Sequence, residues 1–347
     1  MKKKFFAFFI AAAFILNAVG FVSADTRSVK KQVNPLLALL PASDAVISID
    51  AKRFYNTALP QILSGNKEML DDIYGEIDEM KRNTGIDVRQ FENVAVGIAF
   101  NQISATDIDF EPVALARGSF NASSLAALAK YASNNNYREE KVGSRTVYIF
   151  SAKELIEKQK TIVKNSVIQK IFDHLLPRAS GEVAVAAYDN NTLAFGKLER
   201  LKLMLTDEKS RVDAGLLAAV NRNPNAVMSF AAKFPNGISG FIKLSDDELG
   251  RNLNSIRRIS GNVDVTAENV SVSVAAKTFD IPHAQGLYNN LTVLRDWGTG
   301  LLGSSKNANN KIYARLLENA KITRSGSEVL LDLLIAQSDV NLLIGAK

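Results

Sequence analysis

The feature that most narrows the fold is a repeat inside the chain. Ala45-Val46-Ile47-Ser48-Ile49-Asp50-Ala51-Lys52 recurs as Ala226-Val227-Met228-Ser229-Phe230-Ala231-Ala232-Lys233, with Ala, Val, Ser, Ala and Lys identical at the same spacing. Each copy follows a proline-containing turn, at Pro41 and Pro224, and leads toward a helix-forming stretch. Two further pairs occur in the same order. Ala116-Arg117-Gly118-Ser119-Phe120-Asn121 parallels Ala275-Ala276-Lys277-Thr278-Phe279-Asp280: a strand end, a hydroxyl residue, Phe, then an Asn or Asp suited to capping the next helix. Gly143-Ser144 ahead of Val147 parallels Gly326-Ser327 ahead of Val329 as a hairpin turn. One match could come from two convergent strand and helix runs, whereas three in one order point to tandem duplication.

Within each half the apolar period alternates between two and about 3.6. Val270-Ser271-Val272-Ser273-Val274 sets valines on one sheet face and serines on the other, and Val263 to Thr266 supplies the partner strand. Val183 to Ala187 and Thr192 to Gly196 form another hairpin across Asp189-Asn190-Asn191, residues that tolerate positive φ. Helices are expected over 66–82 (Met69, Ile73, Ile77 and Met80 on one face, Ser64 as cap, Gly85 as terminator), 121–134, 152–176, 197–220, 245–254, 281–302, 309–319 and 337–344. Hairpins followed by helices predict an α+β chain of two related lobes, each an antiparallel sheet with helices packed on one face. The first lobe spans 41–222 with an extra hairpin-helix unit, and the second spans 223–347.

Leu40-Pro41-Ala42-Ser43-Asp44-Ala45-Val46-Ile47, the turn Thr84-Gly85-Ile86-Asp87, and a closing hairpin with a short amphipathic helix carry a resemblance. The chain resembles a group of uncharacterised exported bacterial proteins with a duplicated α+β body. That resemblance spans most of the chain after the leader, rests on fold-type patterns, and implies a place outside the cytoplasm without implying a reaction.

Residues 1–24 read as a secretory signal. Lys2, Lys3 and Lys4 precede an apolar run from Phe5 to Leu16, and Val22 and Ala24 stand at the cleavage positions before Asp25. The run is short for a membrane span, which needs about 20 apolar residues. Residues 25–40 read as a linker. Removal of the three lysines lowers the net charge from +6 to +3, too near neutrality for nucleic-acid binding. The expected location is exported, periplasmic or extracellular.

The chain has no Cys and two His, which excludes disulfides, thiolate catalysis and Cys-ligated metals. Trp297-Gly298-Thr299-Gly300-Leu301-Leu302-Gly303 has the letters of a dinucleotide fingerprint, but it follows a helical stretch rather than a strand and reads as a helix end and loop. Ser64 and Lys67 have the Ser-x-x-Lys spacing of penicillin-recognising acyl enzymes, with Ser133 as a third group; the Lys-Ser/Thr-Gly strand motif is missing. Asp107, Asp109 and Glu111 alternate, so an extended chain would turn all three carboxylates one way, toward a calcium ion or as charges on an edge strand. His174 and His283 suit helix ends and converge on no ligand set. Lys158, Lys160, Lys164 and Lys170, and the group Arg251, Arg257 and Arg258, are basic surface groups open to membrane contact.

The expectation is therefore an exported, non-catalytic binding or scaffold protein, with a partner in the cell envelope and no cofactor. The alternatives are an envelope serine hydrolase of Ser-x-x-Lys type and a peripheral membrane or envelope-polymer binder. A groove between the lobes is the natural ligand site.

Overall fold

The computed structural model describes residues 33–104, 107–133, 136–151, 182–206, 210–239, 241, 244 and 247–345. The signal segment, the helix expected over 152–176 with its four lysines, and His174 lie outside the described residues.

Among the described residues, twelve antiparallel strands form one sheet in the order β11-β12-β10-β9-β8-β1-β2-β3-β7-β6-β5-β4. They are β1 (Ala45–Asp50), β2 (Phe91–Ser104), β3 (Asp107–Gly118), β4 (Arg138–Val142), β5 (Arg145–Ser151), β6 (Glu182–Asp189), β7 (Thr192–Lys197), β8 (Met228–Lys233), β9 (Ile256–Val265), β10 (Asn269–Thr278), β11 (Lys321–Ser325) and β12 (Glu328–Ala336). The helices are α1 (residues 51–62), α2 (Lys67–Thr84), α3 (Ala122–Ala132), α4 (Leu198–Thr206), α5 (Ala214–Val220), α6 (Glu248–Asn254), α7 (Ile281–Gly303), α8 (Ala308–Asn319) and α9 (Gln337–Leu343).

The α+β class read from the sequence holds. The two halves are not separate sheets with a groove between them: β1 pairs with β8 over Ala45↔Ala232 to Ile49↔Met228, so the seam is a pair of hydrogen-bonded strands. The repeated segments occupy corresponding places on either side of it. β1 and β8 are the central pair, Ser119 and Thr278 close β3 and β10, and Gly143 and Gly326 take positive φ (60° and 56°) in the turns of the β4–β5 and β11–β12 hairpins. The halves differ by the β6–β7 hairpin, which lies between β3 and β5 where β10 pairs directly with β12. They differ also after the repeat: β1 runs straight into α1, whereas Phe234 follows β8 into turns.

Strand alternation assigns the two faces. Val46, Ala95, Val113, Leu115, Val147, Ile149 and Ala231 point into a cluster closed by α4, α5 and the short helical turn Pro35–Leu39. Leu36, Leu37 and Leu40, at the end of the expected linker, are fully buried there because three leucines complete that core. The neighbouring residues Ala45, Tyr148, Val185 and Ala232 point to the opposite face, where α3 covers the first half and α1, α7 and α9 cover the second. The first half thus carries helices on both faces, where patterning anticipated one; its central strands are rich in alanine and valine on consecutive positions rather than alternating with polar residues.

Local chemistry sets the boundaries. Asp50 accepts from the Arg53 amide at 3.0 Å to open α1, and Pro60 falls where the helix widens into a π turn over Phe54–Ala58, since proline can neither donate nor tolerate the carbonyl one turn back. Asn66, not Ser64, caps α2 by accepting from the Met69 amide at 3.1 Å, because the turn after α1 sets Ser64 three residues before the helix. Gly85 ends α2 at φ 72°. The helix expected over 197–220 is two, broken before Asp213, which caps α5 through the Leu216 amide at 2.9 Å.

Candidate functional site

α7 is built to be long. Asp280 accepts from the His283 amide at 2.9 Å, Pro282 sits in the first turn, and the helix runs for twenty-three residues without a break. The fingerprint-like glycine run lies inside this helix and has no strand before it, so no phosphate-binding loop forms. Two of its glycines serve packing instead: a Cβ at Gly298 would stand 2.8 Å from Leu317 Cδ1, and one at Gly303 would meet Ala314 at 3.8 Å, so α8 lies close against α7.

One side of α7 is core. Ala284 and Leu287 are buried, and Tyr288 and Leu291 join them against Ile322, Val329 and Leu331 of the last hairpin. The other side is bare. Val293, Trp297 and Leu301 succeed each other at spacings of four and are 66%, 66% and 55% exposed, with Leu294 beside them at 46%. A Cβ added at Gly300, on the same face, would meet nothing within 4 Å. Trp297 is the one tryptophan of the chain. A contiguous exposed stripe of large apolar side chains carries more meaning than scattered ones. The signal was present in the sequence as the spacing of Val293, Trp297 and Leu301, but reading the glycine run as a loop hid it.

The candidate acylating serine is held in a structural cluster. Ser64 Oγ accepts from Gln337 Nε2 at 2.9 Å, and the same amide nitrogen reaches the Gln61 carbonyl and Asn341 Oδ1, tying the α1–α2 turn to α9. Lys67 opens α2, one helix start beyond Ser64 rather than one turn along a shared helix. Ser133 ends α3, buried, with its hydroxyl donating to the Lys130 carbonyl at 2.8 Å. No hydrogen bond or ion pair joins the three residues among those described.

The alternating carboxylates face a cation that the chain itself supplies. Lys197 Nζ lies 2.8 Å from Asp109 and 2.8 Å from Glu111. Partial burial pulls the Lys197 pKa down, but the hydrogen bonds to Asp109 and Glu111 outweigh it and leave the ammonium above the ordinary lysine value. The side chain of Asp107 lies outside the described residues. β7 reaches β3 only over Val113–Arg117, so this stretch pairs with β2 alone in an arm braced by Phe100 against Phe110, Phe234 and Phe241. Beside it, the Arg200 guanidinium donates to the Ala42 carbonyl and to Ser43 Oγ at 3.0 Å, and burial lowers its pKa.

The remaining candidates are local. His283 Nδ1 is 2.6 Å from Asp280 Oδ1, and the amide and ring of His283 hold that carboxyl below its ordinary range. Arg257 bonds the Asn254 carbonyl at 2.9 Å and lies 5.4 Å from the centre of the exposed Phe279 ring, while Arg258 turns toward the Gly215 carbonyl at 3.3 Å. Arg257 and Arg258, consecutive in β9, thus turn to different partners. Among the described residues no helix is long and apolar enough to cross a membrane, and no three potential ligand side chains cluster as a metal site.

No family model matches the chain, and no curated protein matches it. Among solved structures, the chain is similar to three crystal forms of TP0453. Form III aligns at a TM-score of 0.43 and 10% identity over 93% of this chain and 100% of that one. Form IV aligns at 0.41 and 11% over 90% and 97%, and form I at 0.40 and 10% over 91% and 98%.

Proposed function

We propose that this protein is an exported, non-catalytic binding protein of the cell envelope that engages its partner through the outer face of α7. The observation that carries this reading is the exposed stripe of Val293, Leu294, Trp297 and Leu301. Keeping a tryptophan and three aliphatic side chains in water is unfavourable by about 25 cal/mol for each Å² of apolar surface, so a surface of this kind gains from a partner. Two further observations support it. The hydroxyls of Ser64 and Ser133 serve turns and helix ends, and the carboxylates of Asp109 and Glu111 are satisfied by Lys197. Export rests on the leader-like residues 1–24. Tandem duplication is our proposal for the origin of the two halves, supported by the corresponding positions of the three repeated segments.

The test is retention of envelope components on the immobilised protein, compared with a Val293→Ser/Leu301→Ser variant of unchanged circular dichroism. The reading requires a component that the wild type retains and the variant loses. Equal retention by both removes α7 from the account.

A further inference from the structure

We infer that the partner of the α7 stripe is an anionic lipid bilayer, into whose interface the stripe inserts with the helix lying along the surface. This inference rests on the reading of α7 as the binding face.

Three observations single out a lipid surface. The first is the charge pattern of the face. With 3.6 residues per turn, Val293, Trp297, Gly300 and Leu301 fall on one exposed side of the last turns of α7, and none of them is charged. Asp296, at the edge of the stripe, pairs at 2.7 Å with Arg295, which lies on the other side of the helix. The second is the one-signed charge of the chain beyond the stripe. From Trp297 to Leu317 the chain has Lys306, Lys311 and Arg315 and no acidic residue. Arg315 is paired with Asp339, whereas Lys306 and Lys311 are exposed and form no ion pair among the described residues. Exposed ammonium groups in the chain that directly follows an uncharged apolar stripe match an anionic headgroup layer, with each lysine adding electrostatic attraction to the apolar insertion.

The third is size. Four side chains make a patch on the order of a few hundred Å². A stable protein interface needs roughly 800 Å² from each partner, so the stripe is too small to hold a second copy of the chain, while interfacial insertion needs no such area. Trp297 at the centre suits the boundary between headgroups and acyl chains, where an indole can bury its rings and keep its N–H wet.

The single tryptophan makes the test direct. The protein recovered from the envelope of a bacterial host is mixed with vesicles of phosphatidylcholine and phosphatidylglycerol in equal parts, and Trp297 emission and co-sedimentation are followed. A blue shift, quenching by lipids brominated on the acyl chain, and weakening as salt rises are expected. Val293→Ser/Leu301→Ser, which keeps the probe, should partition at least tenfold more weakly, and Lys306→Glu/Lys311→Glu should lose most of the salt-dependent part. Unchanged emission with these vesicles, or equal binding to pure phosphatidylcholine, overturns the inference. If the serine variant still loses an envelope protein in the retention experiment, α7 remains the binding face and only the lipid assignment falls; if neither experiment responds to it, both fall.

Discussion

Ser48 and Ser229, the residues placed in register by the internal repeat, are also direct cross-strand neighbours, facing each other in the β1–β8 pairing. A segment paired antiparallel with its own repeat at the matching position has a local two-fold axis between the two residues, the geometry of an isologous contact. Both serines lie on the side of Val46 and Ala231, and Asn34 Nδ2 donates to Ser48 Oγ at 3.1 Å and to the Val94 carbonyl at 3.0 Å. The Ser48 hydroxyl is thus satisfied beneath the helical turn that precedes β1.

Because this pairing makes the sheet continuous, the halves should unfold together. In urea, hydrogen exchange of the β2–β3 amides, in the first half, and of the β9–β10 amides, in the second, should trace one transition. Ser229→Pro removes a ladder hydrogen bond from a strand paired on both sides, with an expected loss of about 3 kcal/mol or more. Two separated transitions in the wild type would show that the halves fold independently.

Asp87 sets an acid limb of stability. It is buried, and it accepts from Arg89 Nε at 2.8 Å, Arg89 Nη2 at 3.0 Å and the Arg89 amide at 3.1 Å, with Lys81 Nζ at 3.0 Å. The Arg89 side chain, against the cost of burial and with help from Lys81, holds the carboxyl well below the usual carboxylate range. A folded-state pKa depressed in this way contributes stability that is complete above the unfolded value near 4 and is lost as pH falls toward the folded value. Asp87→Asn should therefore destabilise the protein at pH 7, with the gap to wild type narrowing between about pH 4 and pH 2. A gap that stays constant over that range would remove Asp87 as its source.

Lys197 bears on whether Asp109 and Glu111 bind metal. With the ammonium between the carboxylates, millimolar calcium should leave the melting temperature of the wild type unchanged. Lys197→Met leaves two like charges together and should cost up to about 1 kcal/mol, partly restored by Asp109→Asn. A calcium-dependent rise in the wild type would assign these carboxylates to a cation other than Lys197.

How far the sequence reached depended on the range of the forces involved. Helix caps and turn glycines are local, so Asp280, Gly85 and the ends of α7 and α8 could be placed to within a residue or two. The strands of the β9–β10 hairpin were readable because Val270, Val272 and Val274 alternate with serines. The Ala-rich β6 and β7 gave no hint that both faces are covered, since alanine fits core and surface alike. The pairing of β1 with β8 joins residues some 180 positions apart, and only the repeat hinted at it. Lys197 between Asp109 and Glu111 and Gln337 on Ser64 are likewise long-range contacts that spacing cannot reveal, which is why both motifs looked freer in the sequence than they are.

Trp297 itself offers the most immediate check on the candidate site. With 66% of the residue exposed and no ring or cation stacked upon it among the described residues, its emission in the free protein should be that of a water-exposed indole. Acrylamide should quench it nearly as well as it quenches a free tryptophan amide. The packing of α7 on α8 adds a second expectation. Gly298→Leu places carbon where Leu317 now lies 2.8 Å from the Cβ position, forcing the helices apart at the point that holds the stripe outward. That variant should lose roughly 1–3 kcal/mol of stability through overpacking, whereas Gly300→Ala, opening into free space on the same helix, should be neutral or slightly stabilising. A blue-shifted, poorly quenched emission in the wild type would mean that the stripe is already covered, and the proposed binding face would have to be sought elsewhere on the sheet.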